Sequence, residues 1–265
     1  MNKEINKELE KVAEIALYVW QKNWVEHYGG NITLDLTEYA HTLMLKNTAN
    51  FKPVALKSSF PSLNGHIYYT TGSGKRMRDV AKSPLDFGSI IRITSRGEKY
   101  EILSSTNIAP TSELITHLSI YSYFNLKKVK HKAILHAHPS ELVALSHIPE
   151  FKDSRHLTKT IWSMIPEARI LIPQGIGVVP YKLTGSQELA EATIKELENS
   201  SVLLWEKHGI IATAPDISEC FDLVEVLVKS ADIYLKARNA GYEAEGLSDE
   251  QLDEIVRAFK LPSNQ

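Results

Sequence analysis

A single cysteine, Cys220, rules out an internal disulfide in this 265-residue chain and fits a reducing compartment. It falls on a periodic helical stretch, where a thiol is a core filler before it is a nucleophile. Nowhere does an apolar run approach the roughly 18 residues needed to span a bilayer, and Met1-Asn2-Lys3-Glu4 leads into a charged helix rather than a signal h-region. The expectation is a cytosolic protein with no membrane partner. Charge of one sign is missing too. Thirty Lys+Arg against 32 Asp+Glu leave a net charge of −2, with no basic block or acidic tail to suit nucleic acid. What is present, 43% hydrophobic and 23% charged residues, suits a globular chain with one large core, so 1–265 reads as a single domain.

Ile5, Leu9, Val12, Ala16, Val19, Trp20 and Trp24 recur at helical spacing, which predicts an amphipathic helix ending near Gly29-Gly30. Asn31-Ile32-Thr33-Leu34-Asp35-Leu36 alternates as a strand. Residues 37 to 66 read as a short helical stretch and an elaborated loop through Lys57-Ser58-Ser59-Phe60-Pro61. Tyr68-Tyr69-Thr70 is the next strand, and the apolar runs either side of Arg96-Gly97 make a hairpin. A helix from Leu114 to Leu126 follows, with Thr111 or Ser112 as its cap, and further helices end near His147 and Met164. Arg169-Ile170-Leu171-Ile172 and Gly177-Val178-Val179 read as strands around Pro173-Gln174-Gly175. Ser186 caps a helix to Leu197, Asp216 with Glu219 opens the longest helix, and Ser248 with Gln251 forms a capping box for the last. Hairpins interrupt the alternation of helix and strand. The fold class is therefore α/β of an α+β-like kind: a central mixed, mainly antiparallel sheet flanked by helices, not a doubly wound parallel one.

The chemistry gathers at Ala133-Ile134-Leu135-His136-Ala137-His138-Pro139, an apolar run that delivers two histidines one residue apart. On a strand, i and i+2 point to the same side, so both imidazoles can reach one metal ion; two surface histidines at a strand end would give the same pattern. Glu113 lies 23 residues before His136 at the head of a helix, where a carboxylate also has an ordinary capping explanation. His208 lies 72 residues after His136 and closes the apolar strand Val202-Leu203-Leu204-Trp205. Thr71-Gly72-Ser73-Gly74-Lys75 is not a nucleotide P-loop, because Tyr69 stands where the first glycine should and Arg76 where magnesium needs Ser or Thr. Such a loop can offer backbone N–H groups and the Ser73 hydroxyl to an anion, or be a plain turn.

Five motifs, Gly29-Gly30-Asn31, Thr71-Gly72-Ser73-Gly74-Lys75, Pro110-Thr111-Ser112-Glu113, His136-Ala137-His138-Pro139 and Trp205-Glu206-Lys207-His208-Gly209, resemble in order and spacing those of the class II aldolase and adducin superfamily. With Ile165-Pro166-Glu167 and Gly175-Ile176-Gly177, the resemblance covers almost the whole chain. It implies the class II aldolase fold, one zinc ion held by His136, His138 and His208, and cleavage of a small sugar phosphate to dihydroxyacetone phosphate and an aldehyde. It also implies a homotetrameric ring with sites at subunit interfaces. By the same resemblance Glu113 exchanges the proton at C3 of the enediolate, and Asn31, Ser73, Gly74, Thr111 and Ser112 hold the phosphate and the donor half of the sugar. Glu167 enters the site of a neighbouring subunit. Three neutral histidines that leave coordination positions open suit a catalytic zinc acting as Lewis acid.

A sister zinc enzyme, such as a fuculose-phosphate aldolase or a pentulose-phosphate 4-epimerase, would share the histidines. A non-catalytic adducin-like domain is the other alternative, and the complete set of three histidines with Glu113 argues against it. One departure stands out: the family carries an asparagine immediately before Gly-Gly-Asn, and this chain has Tyr28. The expectation is altered phosphate affinity, with Tyr28→Asn binding dihydroxyacetone phosphate more tightly. The remaining histidines, at 27, 41, 66, 117, 131, 147 and 156, default to surface or satisfied roles. His117 sits one helical turn after Glu113, where it either orients that carboxylate or faces solvent.

Overall fold

The computed structural model describes residues 3–42 and 52–262. Among them nine strands share one sheet: β1 (Asn31–Asp35), β2 (Val54–Ala55), β3 (Ile67–Thr71), β4 (Gly88–Thr94), β5 (Lys99–Ile102), β6 (Ala133–Ala137), β7 (Gly177–Val179), β8 (Val202–Trp205) and β9 (Gly209–Ala214). Their order across the sheet is β2-β5-β4-β3-β1-β6-β9-β8-β7. Only β7 and β8 run parallel among these pairs, so the sheet is mixed and mainly antiparallel, as the interrupting hairpins predict. The central pair is β1 and β6, in a register that sets Asn31 opposite His136.

The helices are α1 (Lys3–Gln21), α2 (Met77–Val80), α3 (Leu114–Lys127), α4 (Ser140–Leu145), α5 (Ser154–Met164), α6 (Pro166–Leu171), α7 (Gln187–Leu197), α8 (Ile217–Asn239) and α9 (Asp249–Phe259). They cover both faces of the sheet, and strand alternation decides what each face receives. Ala133, Leu135 and Ala137 of β6, with Ile210, Ala212 and Ala214 of β9, pack into the larger core beneath α1, α4, α5 and α8. Ile134, Ile211, Leu203 and Trp205 point the other way, into the core beneath α3 and α7. The side chains of α1 that fill the larger core, Ile5, Leu9, Val12, Ile15, Ala16 and Val19, follow the helical period.

Several local expectations change. The first helix stops at Gln21, where Asn23 takes a left-handed backbone, and Trp24 lies beyond it with its ring 5.2 Å from that of Phe221. Arg169-Ile170-Leu171 is helical, not a strand: Pro166 presets the first turn of α6, and Arg169 is held by donating to Pro173 O at 2.9 Å and lying 4.0 Å from the Trp162 ring. The expected caps at Ser186, Asp216 and Ser248 form, the last as a full capping box. Of the elaborated loop, residues 43–51 lie outside the described residues; around them are 3₁₀ turns at Thr37–Thr42 and Pro61–Leu63, and the edge strand β2.

Candidate active site and metal centre

The same alternation that buries Leu135 aims His136 at the α3 side of the sheet, where α3 begins at Glu113. His138 comes round just past the end of β6, its N–H donating to Trp24 O at 2.6 Å. His208 arrives from the tight β8–β9 hairpin, in which Trp205 pairs with Gly209 and Lys207 takes φ +59°. A side chain at Gly209 would run into the Ala137 carbonyl oxygen and sit 2.6 Å from the His138 ring. The glycine is therefore what lets His208 close on the other two. The candidate ligand atoms of His136, His138 and His208 all lie within 4.8 Å of one another.

Their partners settle the tautomers. His136 Nδ1 is 2.9 Å from Ile210 O, and His138 Nδ1 is 2.8 Å from Glu26 Oε1. Both partners accept only, so each Nδ1 carries its proton and donates, which leaves Nε2 as the atom of each ring that can bind a metal. Those two Nε2 atoms stand 3.0 Å apart. Burial, and then repulsion from His138 and His208, holds His136 well below the ordinary histidine value. Burial first, and then His138, depresses His208 to about 4. Two ring nitrogens this close suit a shared cation, since tetrahedral metal–nitrogen bonds would set such atoms about 3.3 Å apart. The donor set fits a divalent metal ion, with three protein ligands and the remaining positions open.

Glu113 is buried at the head of α3 and does not cap it; its side chain accepts from Asn31 Nδ2 at 2.9 Å. The capping explanation therefore falls. Its oxygens stand 3.5 Å from His136 Nε2 and 3.7 Å from His208 Nε2. Burial raises its carboxyl above the usual range, against the Asn31 hydrogen bond and the His138 charge, which lower it. A carboxyl poised in this way can carry a proton beside the metal site. Asn31 Oδ1 is buried with no partner in the protein, an acceptor left for a ligand hydroxyl.

The residues expected around the phosphate border this centre. The bridge between Gly72 and Pro110 ties their loop to the Glu113 segment; Ser73, Gly74 and Ser112 are exposed, while Thr111 is buried and accepts from Glu113 N at 3.3 Å. The loop is not the amide cradle its glycines suggest. The N–H groups of Gly72, Ser73 and Lys75 donate to Phe87 O, Ala109 O and Gly72 O, leaving chiefly the Ser73 hydroxyl and Gly74. Glu167 stands apart, exposed on the first turn of α6 and, among the described residues, with no hydrogen bond or ion pair to His136, His138, His208 or Glu113.

His117 is not a surface residue. It is fully buried, with Nδ1 2.8 Å from Thr33 Oγ1. Two further parts of the site escape a sequence reading. Glu26 holds His138, and Trp205 packs its ring 4.7 Å from His136 and 5.1 Å from His208. The one hint for Glu26 is Gly29, where a Cβ would lie 2.8 Å from the Glu26 carboxylate and 2.9 Å from His138 Nδ1.

A mainly antiparallel sheet thus presents three histidines and a buried glutamate at its centre. Residues 10–235 match the class II aldolase and adducin N-terminal domain, and the chain belongs to that family. It is 44% identical over 256 residues to the rhamnulose-1-phosphate aldolase of Bacteroides thetaiotaomicron, spanning 97% of this chain and 95% of that one. To the rhamnulose-1-phosphate aldolase of Listeria welshimeri it is 30% identical, over 96% and 92% of the two chains. Among solved structures, the sugar-phosphate aldolase from Thermotoga maritima superposes with a TM-score of 0.76 at 30% identity, over 92% of this chain and all of that one.

Proposed function

We propose that this protein is a zinc-dependent aldehyde-lyase that cleaves L-rhamnulose 1-phosphate to dihydroxyacetone phosphate and L-lactaldehyde, a step of L-rhamnose catabolism. The convergence of three imidazoles beside the buried carboxyl of Glu113 carries this reading, and the near full-length similarity to rhamnulose-1-phosphate aldolases supports the substrate. His136, His138 and His208 would hold the ion, which supplies the Lewis acidity that C3–C4 cleavage of a ketose requires. Glu113 moves the proton at C3, held in place by the Asn31 amide. Ser73, Gly74, Thr111 and Ser112 line the approach for the phosphorylated half of the sugar. On this reading the protein works in the cytoplasm as a homotetramer, with Glu167 serving the site of a neighbouring subunit.

The test is a retro-aldol assay on L-rhamnulose 1-phosphate, L-fuculose 1-phosphate and a pentulose 5-phosphate, run before and after chelation and again after zinc is returned. Cleavage of rhamnulose 1-phosphate that chelation abolishes and zinc restores is the expected result. Undiminished turnover in metal-free protein would sink the metal mechanism, and faster turnover of another ketose phosphate would reassign the substrate.

A further inference from the structure

Two loops border the centre, Gly29-Gly30-Asn31 and Thr71-Gly72-Ser73-Gly74-Lys75, and their outer flanks meet. The Arg76 guanidinium lies 5.5 Å from the centroid of the Tyr28 ring, within cation–π range, and the His27 ring packs on Tyr28 at 3.7 Å. Beside this pair is a pocket of about 240 Å³ lined by Trp20, Val25, His27, Arg76, Met77 and Arg78. No carboxylate lines it. Among the described residues neither Arg76 nor Arg78 has an ion pair, and the nearest acid in sequence, Asp79, is paired with Lys82 at 3.5 Å. Two arginines left without an acidic partner, the first directly after the Thr71–Lys75 loop, are an arrangement for an anion. Three of the adjacent loop's N–H groups are already spent on the protein.

We propose that Arg76, held over the Tyr28 ring, is a specificity-determining residue of this chain that meets the phosphomonoester dianion of the substrate. The inference deepens the reading of the site as one for a phosphorylated ketose and rests on it. From beside the ring the guanidinium can offer its N–H fork to two phosphate oxygens, a geometry a lysine cannot reproduce. Tyr28 then has a task of its own as the platform that orients the fork. Tyr28→Asn therefore weakens phosphate binding, the reverse of what a missing asparagine contact alone would predict.

The experiment measures inorganic phosphate and dihydroxyacetone phosphate binding by calorimetry on the zinc-loaded protein, alongside steady-state kinetics, for wild type, Arg76→Met, Arg76→Lys and Tyr28→Leu. Arg76→Met should weaken both ligands and raise KM roughly tenfold to a hundredfold, with kcat and zinc content little changed. Arg76→Lys should recover only part of the loss. Tyr28→Leu should cost roughly twofold to fivefold alone, and add little to Arg76→Met because the ring acts through the guanidinium. Unchanged phosphate affinity in Arg76→Met would overturn the proposal. So would phosphate that binds through Arg76 without competing with the ketose, which would mark a separate anion site. Calorimetry needs no turnover, so failure to cleave any phosphorylated ketose would count against the proposed function and leave the Arg76 measurement readable.

Discussion

Asn31 and Glu113, 82 residues apart in sequence, are joined by one buried hydrogen bond of 2.9 Å from the amide to the carboxylate. The bond links the central strand β1 to the head of α3 and turns the carboxyl toward His136 and His208. Glu113→Gln should therefore keep its place and leave three histidines for the metal, yet lose the group that takes and returns a proton. The expected loss in kcat is at least about a hundredfold, with metal content unchanged. Full turnover in that variant would reduce Glu113 to a structural carboxylate.

A second relationship concerns how firmly the three histidines would hold an ion. Glu26 places both oxygens within reach of His138 Nδ1, at 2.8 and 3.1 Å, and so fixes the ring that offers Nε2 to the metal. Carboxylates in this position typically contribute about tenfold to a hundredfold to metal affinity. Glu26→Ala should raise the zinc dissociation constant by that factor in a chelator competition. Glu26→Gln, which can still accept from Nδ1, should lose less. Affinity unaltered in both variants would show that the contact does not steady His138.

Much of this site was legible because its signals are local. His136 and His138 sit at strand spacing, Gly209 follows His208 in a hairpin that tolerates no side chain, and Ser186, Asp216 and Ser248 cap helices three residues or fewer from what they bind. What was illegible depends on distant partners. Glu26 is an exposed carboxylate in a stretch without periodicity, and its partner lies 112 residues away. Arg169-Ile170-Leu171-Ile172 has the composition of a strand, and the helix there is set by Pro166 and by packing against α5 and α9. Glycines at 72 and 74 suggested a loop of free amide groups, but the Gly72 and Ser73 amides are drawn to Phe87 O and Ala109 O. Helix α3 is buried around most of its circumference, so no polar face showed on which side His117 would fall.

The burial of His117 carries a prediction of its own. Burial holds its imidazole down at about 3, against an ordinary 6.5, so the folded chain excludes a proton that the unfolded chain takes up. Its contribution to stability is then complete above about pH 6.5 and is lost progressively as pH falls toward about 3, at roughly 1.4 kcal/mol per pH unit. Urea unfolding at about pH 7.5 and about pH 5.5 should show the wild type losing roughly 1.4 kcal/mol more than His117→Asn between the two. Equal losses would mean that His117 is protonated as readily when folded as when unfolded.

Glu167 offers the sharpest check on assembly. It is exposed on α6 and, among the described residues, has no hydrogen bond or ion pair to His136, His138, His208 or Glu113, so the proposed role for it lies in another subunit's site. Glu167→Ala should leave secondary structure and zinc content as in the wild type while lowering kcat, because α6 is anchored by Ala168 and Arg169, not by the side chain at 167. A site that takes Glu113 from one subunit and Glu167 from the next can be rebuilt by mixing two defective chains. In rings reassembled from equal amounts of Glu167→Ala and Glu113→Gln, about a quarter of the sites would combine an intact Glu113 with an intact Glu167 across the interface. The mixture should therefore recover about a quarter of wild-type activity, well above either parent. Activity no higher than the average of the two parents, in rings shown by native mass spectrometry to be mixed, would mean that Glu167 does not reach across.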